Sequence, residues 1–378
     1  MSYNNSTGPR QEESWEKKLA ESICDIHELA EVVSYDPADM AALEELAKLH
    51  PMRITRHYLS LIDRDDVNDP IRTLMLPSLG EQDLSGSFDT SGEGENTKLT
   101  GLQHKYDQTA LILATNQCAA YCRFCFRKRL VGVDNEEILS LFGDAVEYVR
   151  EHDEINNVLI SGGDPFVLPT DIIEEFLKRL SPIPHLRFIR FGSRIPVVFP
   201  DRILDDPSLP AVLGKYSRND RRIYVTTHFN HPREICEKSV ESVDQLLKAG
   251  VTLHNQTVLL NGVNDDPEVL ADLQNRLAGI GVSPYYVFQC RPVKRVRGYF
   301  QVPFKRGYRI VEEAKTRLNG YSKRFRFMMS HRTGKIEIVA VDGDKIHFKY
   351  HQAKDPSNAG RFFTRNLNET AGWLDDLD

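Results

Sequence analysis

The stretch NQCAAYCRFCFR, residues 116–127, decides both the fold and the chemistry expected of this chain. It places Cys118, Cys122 and Cys125 in a C-x3-C-x2-C spacing, directly after an apolar run at residues 110–114 that is typical of a strand. Three thiolates at this spacing can bind three irons of a cubane cluster, which leaves the fourth iron without a protein ligand. An open iron can coordinate a small molecule and deliver an electron to it.

The alternatives for these three cysteines are a three-thiolate zinc site or plain buried thiols. Structural zinc closes its shell with a fourth Cys or His, and no histidine follows within ten residues of Cys125, which disfavours zinc. The other three cysteines are scattered at positions 24, 236 and 290, so the chain lacks the pattern of a disulfide framework.

Alternating strand and helix patterns surround the cysteine motif. Strand-like runs lie at residues 110–114, 157–161, 186–191, 223–227, 253–260 and 285–288, and helical patterns at 136–150, 171–180, 207–213, 235–249 and 267–278. This α/β alternation predicts a parallel sheet with right-handed crossovers, here a barrel or partial barrel. Functional groups in such a barrel gather at the C-terminal ends of the strands.

The segments on either side of this α/β region have different sequence patterns. Residues 14–50 follow a helical pattern, residues 85–97 are rich in Gly and Ser and are expected to form a loop, and strands are expected at 325–329, 335–341 and 345–350. The polar, acidic end at 366–378 is expected to be mobile. We therefore divide the chain into an N-terminal helical region and loop (1–103), an α/β core (104–320) and C-terminal strands (321–378).

Composition limits the classes of function. The chain has 378 residues, of which 40% are hydrophobic and 27% charged, as in an ordinary globular protein. A net charge of −7 argues against a general nucleic-acid binder. No apolar run is long enough to cross a membrane, and residues 1–13 lack an apolar signal core. Together with the unpaired thiols, this predicts a cytoplasmic protein without a membrane partner.

The cysteine motif, with the aromatic Phe124 just before its third cysteine, resembles the radical S-adenosylmethionine (SAM) superfamily and, more narrowly, the lysine 2,3-aminomutase family. The resemblance implies a partial (β/α)6 radical SAM barrel with an N-terminal helical region and a small C-terminal β-rich extension. Its motifs run in order through about residues 50–335: PMRIT from 51, G at 101 with HKY at 104–106, the cysteine cluster at 118–129, SGGD at 161–164, GSRIP at 192–196, THFNHP at 227–232, NQTVLL at 255–260, GVND at 262–265 and PYY at 284–286.

The family resemblance also implies an activity. Such enzymes are isomerases that move the amino group of a small-molecule amino acid from C2 to C3. The implied cofactors are a 4Fe–4S cluster on Cys118, Cys122 and Cys125, S-adenosyl-L-methionine as the source of a 5′-deoxyadenosyl radical, and pyridoxal 5′-phosphate. An electron donor such as flavodoxin or ferredoxin is implied as a partner, and family members are commonly homo-oligomers.

Residues for cofactor binding follow from the same resemblance. Gly162, Gly163, Asp164, His228 and Gln256 match family positions that contact S-adenosylmethionine. The plainer alternatives are a simple turn for the two glycines with Asp164, and satisfied buried polar side chains for His228 and Gln256.

Lys335 matches the catalytic lysine that binds pyridoxal phosphate covalently in the family, although an exposed lysine at the start of a strand is the alternative. Amine chemistry requires a lysine that can lose its proton, which a sheltered position favours. The approach to this lysine departs from the family, because SHRTG at 330–334 stands where the family has a run of glycines. The cofactor neighbourhood is matched by Ser193, Arg194, Lys105 and Tyr106, whereas Thr109 replaces an arginine and Phe124 replaces a histidine.

The residues expected to bind the substrate indicate a substrate other than lysine. Arg127 matches the arginine that pairs with the substrate α-carboxylate, a role that suits a planar guanidinium; the alternatives are a solvated basic patch or a phosphate grip at 127–129. Lysine-specific members bind the distal ammonium with two aspartates, and this chain has Arg291 and Met328 there. A guanidinium roughly 4 Å from an ammonium is repelled by about 4 kcal/mol at an effective dielectric near 20. We therefore expect a substrate with a carboxylate side chain, such as glutamate or aspartate.

Two other functions stay open at the level of sequence. One is a radical SAM enzyme of the same family that has lost or repurposed pyridoxal phosphate, which the altered approach to Lys335 suggests. The other is a non-catalytic iron–sulfur or zinc protein that senses redox state or binds nucleic acid. Only the four basic residues within 291–297 favour nucleic acid, and the net charge opposes it.

Overall fold

The computed structural model describes residues 14–133, 136–138 and 142–378. Within them, twelve strands form one sheet whose spatial order is the order of the chain. The strands are β1 (Thr97–Leu99), β2 (Leu102–Tyr106), β3 (Thr109–Thr115), β4 (Asn157–Gly162), β5 (Phe188–Gly192), β6 (Arg222–Thr227), β7 (Thr252–Leu259), β8 (Ser283–Gln289), β9 (Arg326–His331), β10 (Gly334–Asp342), β11 (Lys345–Ala353) and β12 (Phe362–Asn366).

The centre of the sheet is parallel and its two ends are antiparallel. Strands β3 to β9 pair in parallel, whereas β1 to β3 and β9 to β12 pair in antiparallel order. Because β1 and β12 are its edges, the sheet does not close. The predicted partial α/β barrel with an N-terminal helical region and a β-rich C-terminal part is confirmed.

Helices cover the outer face of the parallel strands. Thr170–Leu180 shows why: Ile173, Phe176, Leu177 and Leu180 are buried at helical spacing, so one stripe faces the sheet. The helices of at least eight residues are Met40–Leu49, Phe142–Glu151, Thr170–Leu180, Ser208–Tyr216, Glu237–Lys248, Pro267–Gly279 and Phe304–Thr316. The shorter ones are Trp15–Ala20, Ile26–Ala30, Arg56–Leu59, Pro70–Met75, Glu93–Asn96, Ile195–Val198, Asp201–Leu204 and Arg297–Phe300. Every helix among the described residues is too short or too polar to cross a bilayer.

The structure divides the helical stretch predicted at 14–50 and describes part of the one predicted at 136–150. The pattern over 14–50 is broken into three helices, because Asp25 caps a new helix by accepting from the backbone amides of His27 and Glu28. The described helix Phe142–Glu151 overlaps the helix predicted at 136–150, but residues 134–135 and 139–141 lie outside the described residues, as do residues 1–13.

The C-terminal region holds one confirmed and one wrong expectation. The predicted hairpin between β10 and β11 turns at Gly343, whose φ of 59° suits a residue without a Cβ. The expectation that residues 366–378 are mobile is wrong. Trp373 is only 1% exposed, and the carbonyl of Ala371 accepts a hydrogen bond of 2.8 Å from the amide of Phe304. The tail packs into the hydrophobic core beneath β9 to β11.

Strand alternation places polar side chains inside the barrel. In β5, Ile189 and Phe191 are fully buried, whereas Phe188, Arg190 and Gly192 line an interior cavity. The same period of two applies along the other parallel strands. The barrel interior therefore holds a cavity lined by polar and charged side chains rather than a filled core.

Candidate active site

A cavity of about 500 Å³ occupies the barrel interior. Its wall combines the three cysteines of the loop after β3 with residues from β2 to β11. It brings together nearly all the predicted site residues: Cys118, Cys122, Cys125, Arg127, Gly162, Gly163, Asp164, Ser193, Arg194, His228, Gln256, Arg291 and Lys335. Lys105 and Tyr106 line it as well.

The three cysteines lie side by side on the loop that follows β3. The amide of Cys125 donates a hydrogen bond of 3.2 Å to the carbonyl of Cys122, and the carbonyl of Cys118 accepts one of 3.1 Å from Arg53. Burial and the charges of the neighbouring thiols raise the pKa of Cys118 and Cys125. No group of three His, Cys, Asp or Glu side chains in the described residues converges tightly enough to hold a single metal ion. A cubane has no such requirement, because each thiolate binds a different iron.

The glycines at the end of β4 allow the chain to pack closely against the start of the cysteine loop. Gly162 has a φ of 118°, and a Cβ on Gly163 would collide with the carbonyl of Gln117, just before Cys118. The amide of Asp164 donates to that same carbonyl over 2.8 Å. The expected reason for these glycines was close approach to a ligand; the reason visible in the structure is close approach to the loop. Both still line the cavity.

Asp164 fixes the end of the next strand. Its carboxylate accepts hydrogen bonds from the amides of Arg194 over 2.6 Å and Phe166 over 3.0 Å. Burial, opposed by these hydrogen bonds, raises the pKa of Asp164 to about 6. The hydroxyl of Ser193 accepts from the amide of Ile195 over 3.1 Å, so Ser193 also shapes this turn.

Arg194 binds the cysteine loop directly. Its Nη1 donates to the sulfur of Cys122 over 2.8 Å and its Nε donates to the carbonyl of His228 over 3.1 Å. Its Nη2 forms a buried ion pair with Glu234, and the guanidinium lies over the ring of Phe124 at 5.5 Å. These contacts place Arg194 beside the expected cluster ligands.

His228 presents an unsatisfied nitrogen in the cavity wall. Its Nε2 is buried without a hydrogen-bond partner, and its ring meets Phe124 edge to face at a centroid distance of 5.5 Å. Burial and the nearby charge of Arg194 lower the pKa of His228 to about 3, so the ring is neutral. A buried polar atom without a partner is costly in an otherwise satisfied protein. Gln256, on β7, lines the same cavity.

Arg127 is already paired within the protein. Its Nε donates to Glu93 over 3.0 Å, and its Nη1 donates to the Ser161 hydroxyl over 3.3 Å and the Gly162 carbonyl over 3.4 Å. Glu93 also accepts from Arg129 over 2.8 Å. The basic run at 127–129 is therefore largely buried and bonded, which differs from a solvated surface patch.

Arg291 and Arg127 both lie over the ring of Phe126. The ring of Phe126 has the guanidinium of Arg291 at 4.1 Å and that of Arg127 at 4.7 Å from its centroid. Nη1 of Arg291 is buried without a partner, and burial, opposed by the charge of Glu93, lowers the pKa of Arg291 to about 10. Met328, the other position expected to face the substrate, is fully buried on β9.

Lys335 is the second residue of β10 and lies over an aromatic ring in the cavity wall. Its Nζ lies 4.9 Å from the ring centroid of Tyr286, whose hydroxyl pairs with Nε2 of His351 over 2.9 Å. No carboxylate among the described residues pairs with this amine. Burial, together with the charges of Arg190 and Arg291, lowers the pKa of Lys335 to about 7.

Lys105 reaches the turn that precedes Lys335. Its Nζ donates to the carbonyl of His331 over 2.7 Å and to that of Ser91 over 3.2 Å. Burial and the charge of Arg291 lower the pKa of Lys105 to about 7.

Sequence reasoning missed two charged members of the cavity wall, Glu93 and Arg190. Glu93 lies in the short helix Glu93–Asn96, inside a segment expected to be a loop, and no pattern marked it. Arg190 could have been found, because it alternates with Ile189 and Phe191 in β5 and so had to share the face opposite to theirs.

Comparison with known proteins agrees with this geometry. Residues 112–273 match the family model described as the radical SAM superfamily, so the fold and the cysteine loop define a radical SAM enzyme, which implies a 4Fe–4S cluster and S-adenosylmethionine. The relatives include a provisionally named L-lysine 2,3-aminomutase of Aquifex aeolicus, 44% identical over 335 residues (88% of this chain and 89% of that protein). The L-lysine 2,3-aminomutase of Clostridium subterminale is 35% identical over 310 residues (81% and 73%), and the glutamate 2,3-aminomutase of Clostridioides difficile is 36% identical over 316 residues (82% and 72%). The chain belongs to the lysine 2,3-aminomutase family.

Proposed function

We propose that this enzyme is a pyridoxal-phosphate-dependent amino-acid 2,3-aminomutase whose substrate has an anionic side chain, such as glutamate or aspartate. The observation that carries this proposal is that Lys335 and Arg291 line the same cavity as Cys118, Cys122 and Cys125. A covalent cofactor site, a cation for a distal carboxylate and a source of radicals would then share one chamber. The electron would come from a flavodoxin or ferredoxin, the donor class that the family resemblance implies.

The residues on and around the cysteine loop fit a cluster and S-adenosylmethionine. Cys118, Cys122 and Cys125 would hold three irons, and Arg194 would donate a hydrogen bond to the Cys122 ligand. Gly162, Gly163, Asp164, His228 and Gln256 line the adjoining wall, where the free Nε2 of His228 can bond a ligand. When bound, the cluster and S-adenosylmethionine supply a 5′-deoxyadenosyl radical. The enclosing barrel keeps water away from it.

The residues around Lys335 fit pyridoxal phosphate. A buried amine without a carboxylate partner, whose pKa is lowered to about 7, is largely unprotonated at slightly alkaline pH and can attack an aldehyde. Tyr286 offers a flat ring beside it, and Lys105 and Tyr106 lie along the same wall. When bound, the cofactor supplies a conjugated ring that can delocalise an unpaired electron next to the migrating nitrogen.

Charge favours an acidic substrate. The relatives include both lysine and glutamate aminomutases at similar identity, so overall similarity does not choose between them. The Arg291 guanidinium has an unpartnered Nη1 and no ion pair among the described residues. It would repel a substrate ammonium by about 4 kcal/mol at roughly 4 Å, whereas a side-chain carboxylate would supply its missing partner.

A substrate panel tests this proposal. The reconstituted enzyme is incubated anaerobically with S-adenosylmethionine, pyridoxal phosphate and lysine, glutamate or aspartate, and β-amino acids are measured by mass spectrometry. We expect product from an acidic amino acid and a raised KM in Arg291→Gln, whereas Arg324→Gln, an exposed control, leaves KM unchanged. Turnover of lysine comparable to that of glutamate contradicts the substrate assignment.

A family member that has lost pyridoxal phosphate is the second candidate. The turn before Lys335 favours it, because His331 and Thr333 bond each other there instead of a glycine run. Absorbance of the protein with added cofactor separates the two candidates: an imine band that disappears in Lys335→Ala supports pyridoxal phosphate. No band in the wild type supports the second candidate.

A further inference from the structure

Arg190 lies deeper in the cavity than the cysteine loop. In the register of the sheet it is level with Leu159 of β4 and Tyr224 of β6. Gly192, two residues further along β5, is level with Thr226 and lies next to Ser161, which bonds Arg127. Arg190 is therefore two residues along the strand further from the cysteine loop than the level at which Arg127 is bonded.

The guanidinium of Arg190 is incompletely satisfied. Nη2 donates to the side-chain oxygen of Asn157 over 2.7 Å, and Nε is buried without any partner. Among the described residues no Asp or Glu forms an ion pair with it. A cation inside a cavity without a counter-ion is costly, so an anionic ligand would satisfy it.

Asn157 holds this guanidinium in one orientation. Its side-chain amide is fixed on the opposite side, because Nδ2 donates to the Gln108 carbonyl over 2.7 Å and to the Thr109 hydroxyl over 3.0 Å. The oxygen that remains accepts from Arg190. A cation oriented in this way suits a fixed, multidentate anion.

We propose that Arg190 binds the phosphate group of pyridoxal phosphate at the deep end of the cavity, with Asn157 as its positioning residue. This inference rests on the proposed function. Arg127 and Arg291 both contact Phe126. The proposed function assigns these two arginines to the substrate carboxylates, which leaves Arg190 for another anion. Lys335 lies near Arg190, because the charge of Arg190 acts on the Lys335 amine. One ligand could therefore reach Lys335 with its aldehyde and Arg190 with its phosphate. A guanidinium fork matches the oxygens of a phosphate.

The experiment compares two aldehydes that differ only in the phosphate. Apoprotein is titrated with pyridoxal phosphate or with pyridoxal, and the dissociation constants are read from absorbance. Attachment at Lys335 releases one water and is checked by borohydride reduction and mass spectrometry. The variants are Arg190→Gln, Arg190→Lys and the control Arg222→Gln, which removes an exposed arginine from the neighbouring strand β6. Circular dichroism verifies folding.

We expect Arg190→Gln to weaken binding of pyridoxal phosphate by roughly ten- to a hundredfold, the range for a hydrogen bond to a charged group. Its affinity for pyridoxal should change less than about twofold by the same reasoning. Arg190→Lys should fall between the wild type and Arg190→Gln, and Arg222→Gln should match the wild type. Inorganic phosphate should compete with pyridoxal phosphate in the wild type and not in Arg190→Gln.

Two other results are informative. If Arg190→Gln binds both aldehydes as the wild type does, or weakens both equally, the phosphate assignment is overturned while the proposed function stands. If the wild type attaches neither aldehyde at Lys335, the cofactor part of the proposed function fails, and the assignment of Arg190 fails with it.

Discussion

The carboxylate of Glu93 accepts a hydrogen bond of 3.0 Å from Nε of Arg127, the residue expected to bind the substrate α-carboxylate. Arg129 contacts the second oxygen of the same carboxylate at 2.8 Å. Arg127 is thus held in place by contacts within the protein. Nη1 of Arg127 donates to Ser161 and Gly162 over longer distances than Nε does to Glu93. Nη1 is therefore more available than Nε for a new partner.

Replacing Glu93 with Gln should destabilise the protein. The change leaves two guanidiniums without their shared counter-charge in a buried site, and breaking a buried pair in this way costs about 3–5 kcal/mol. Denaturant unfolding measures the loss of free energy. Glu95→Gln is the matched control, because this neighbouring glutamate is exposed and forms an ion pair with Lys354 at the surface. Equal effects of the two substitutions would show that Glu93 is not a structural partner of Arg127.

Phe126 should affect substrate affinity through Arg291. Phe126→Leu removes a ring that holds the guanidinium at 4.1 Å, and such a contact is worth up to about 2 kcal/mol when desolvated. We expect KM for the acidic substrate to rise while kcat changes less. Phe126→Tyr keeps the aromatic face and should behave like the wild type. A uniform loss of kcat in both variants would argue against a role in substrate binding.

Local rules predicted the parallel core and the cysteine motif, whereas the other predicted residues of the cavity wall came from the resemblance to the lysine 2,3-aminomutase family. Alternation of strands and helices predicted β3 to β8, and spacing alone singled out Cys118, Cys122 and Cys125. Glu93 was missed for the opposite reason. Its importance arises from Arg127 and Arg129, more than thirty residues away in the chain, and a lone glutamate in a Gly/Ser-rich segment carries no pattern.

The C-terminal tail illustrates the same limit. Its acidic composition is typical of a mobile end, yet Trp373 is buried in the core and Arg297 forms an ion pair with Asp376 over 2.7 Å. Asp375 then reaches His331, with 3.1 Å between its oxygen and Nε2, in the turn before Lys335. Composition averages over the segment, whereas the contacts of individual residues, among them the buried aromatic Trp373, hold the tail in place.

Trp373→Ala should therefore loosen the tail and lower stability. Truncation of a fully buried large side chain costs about 3–5 kcal/mol. Hydrogen exchange should increase at residues 371–378 and at the turn 331–334, because the His331–Asp375 contact depends on the tail. Tyr321→Ala, which truncates a residue that is 73% exposed, should leave both measurements unchanged. Faster exchange in the tail alone would show that the turn before Lys335 holds its structure independently.

The buried amine of Lys335 should make stability depend on pH in a defined direction. Its pKa is lowered to about 7 in the folded protein from 10.5 in the unfolded chain, chiefly by burial. Between these values the unfolded chain binds a proton that the folded protein does not, so this residue makes the free energy of unfolding rise with pH across the window. Below this pH window the amine is protonated in both states, and the folded protein bears the full cost of a buried cation.

Lys335→Met should thus be more stable than the wild type near pH 7, and the difference between their free energies of unfolding should narrow toward pH 10. Denaturant unfolding of both proteins across this range measures that difference. Lys248→Met, at an exposed lysine paired with Asp244, should show no such narrowing. A constant difference between Lys335→Met and the wild type would mean that the amine keeps its proton in the folded cavity, and its assignment as the lysine that attacks an aldehyde would lose its physical basis.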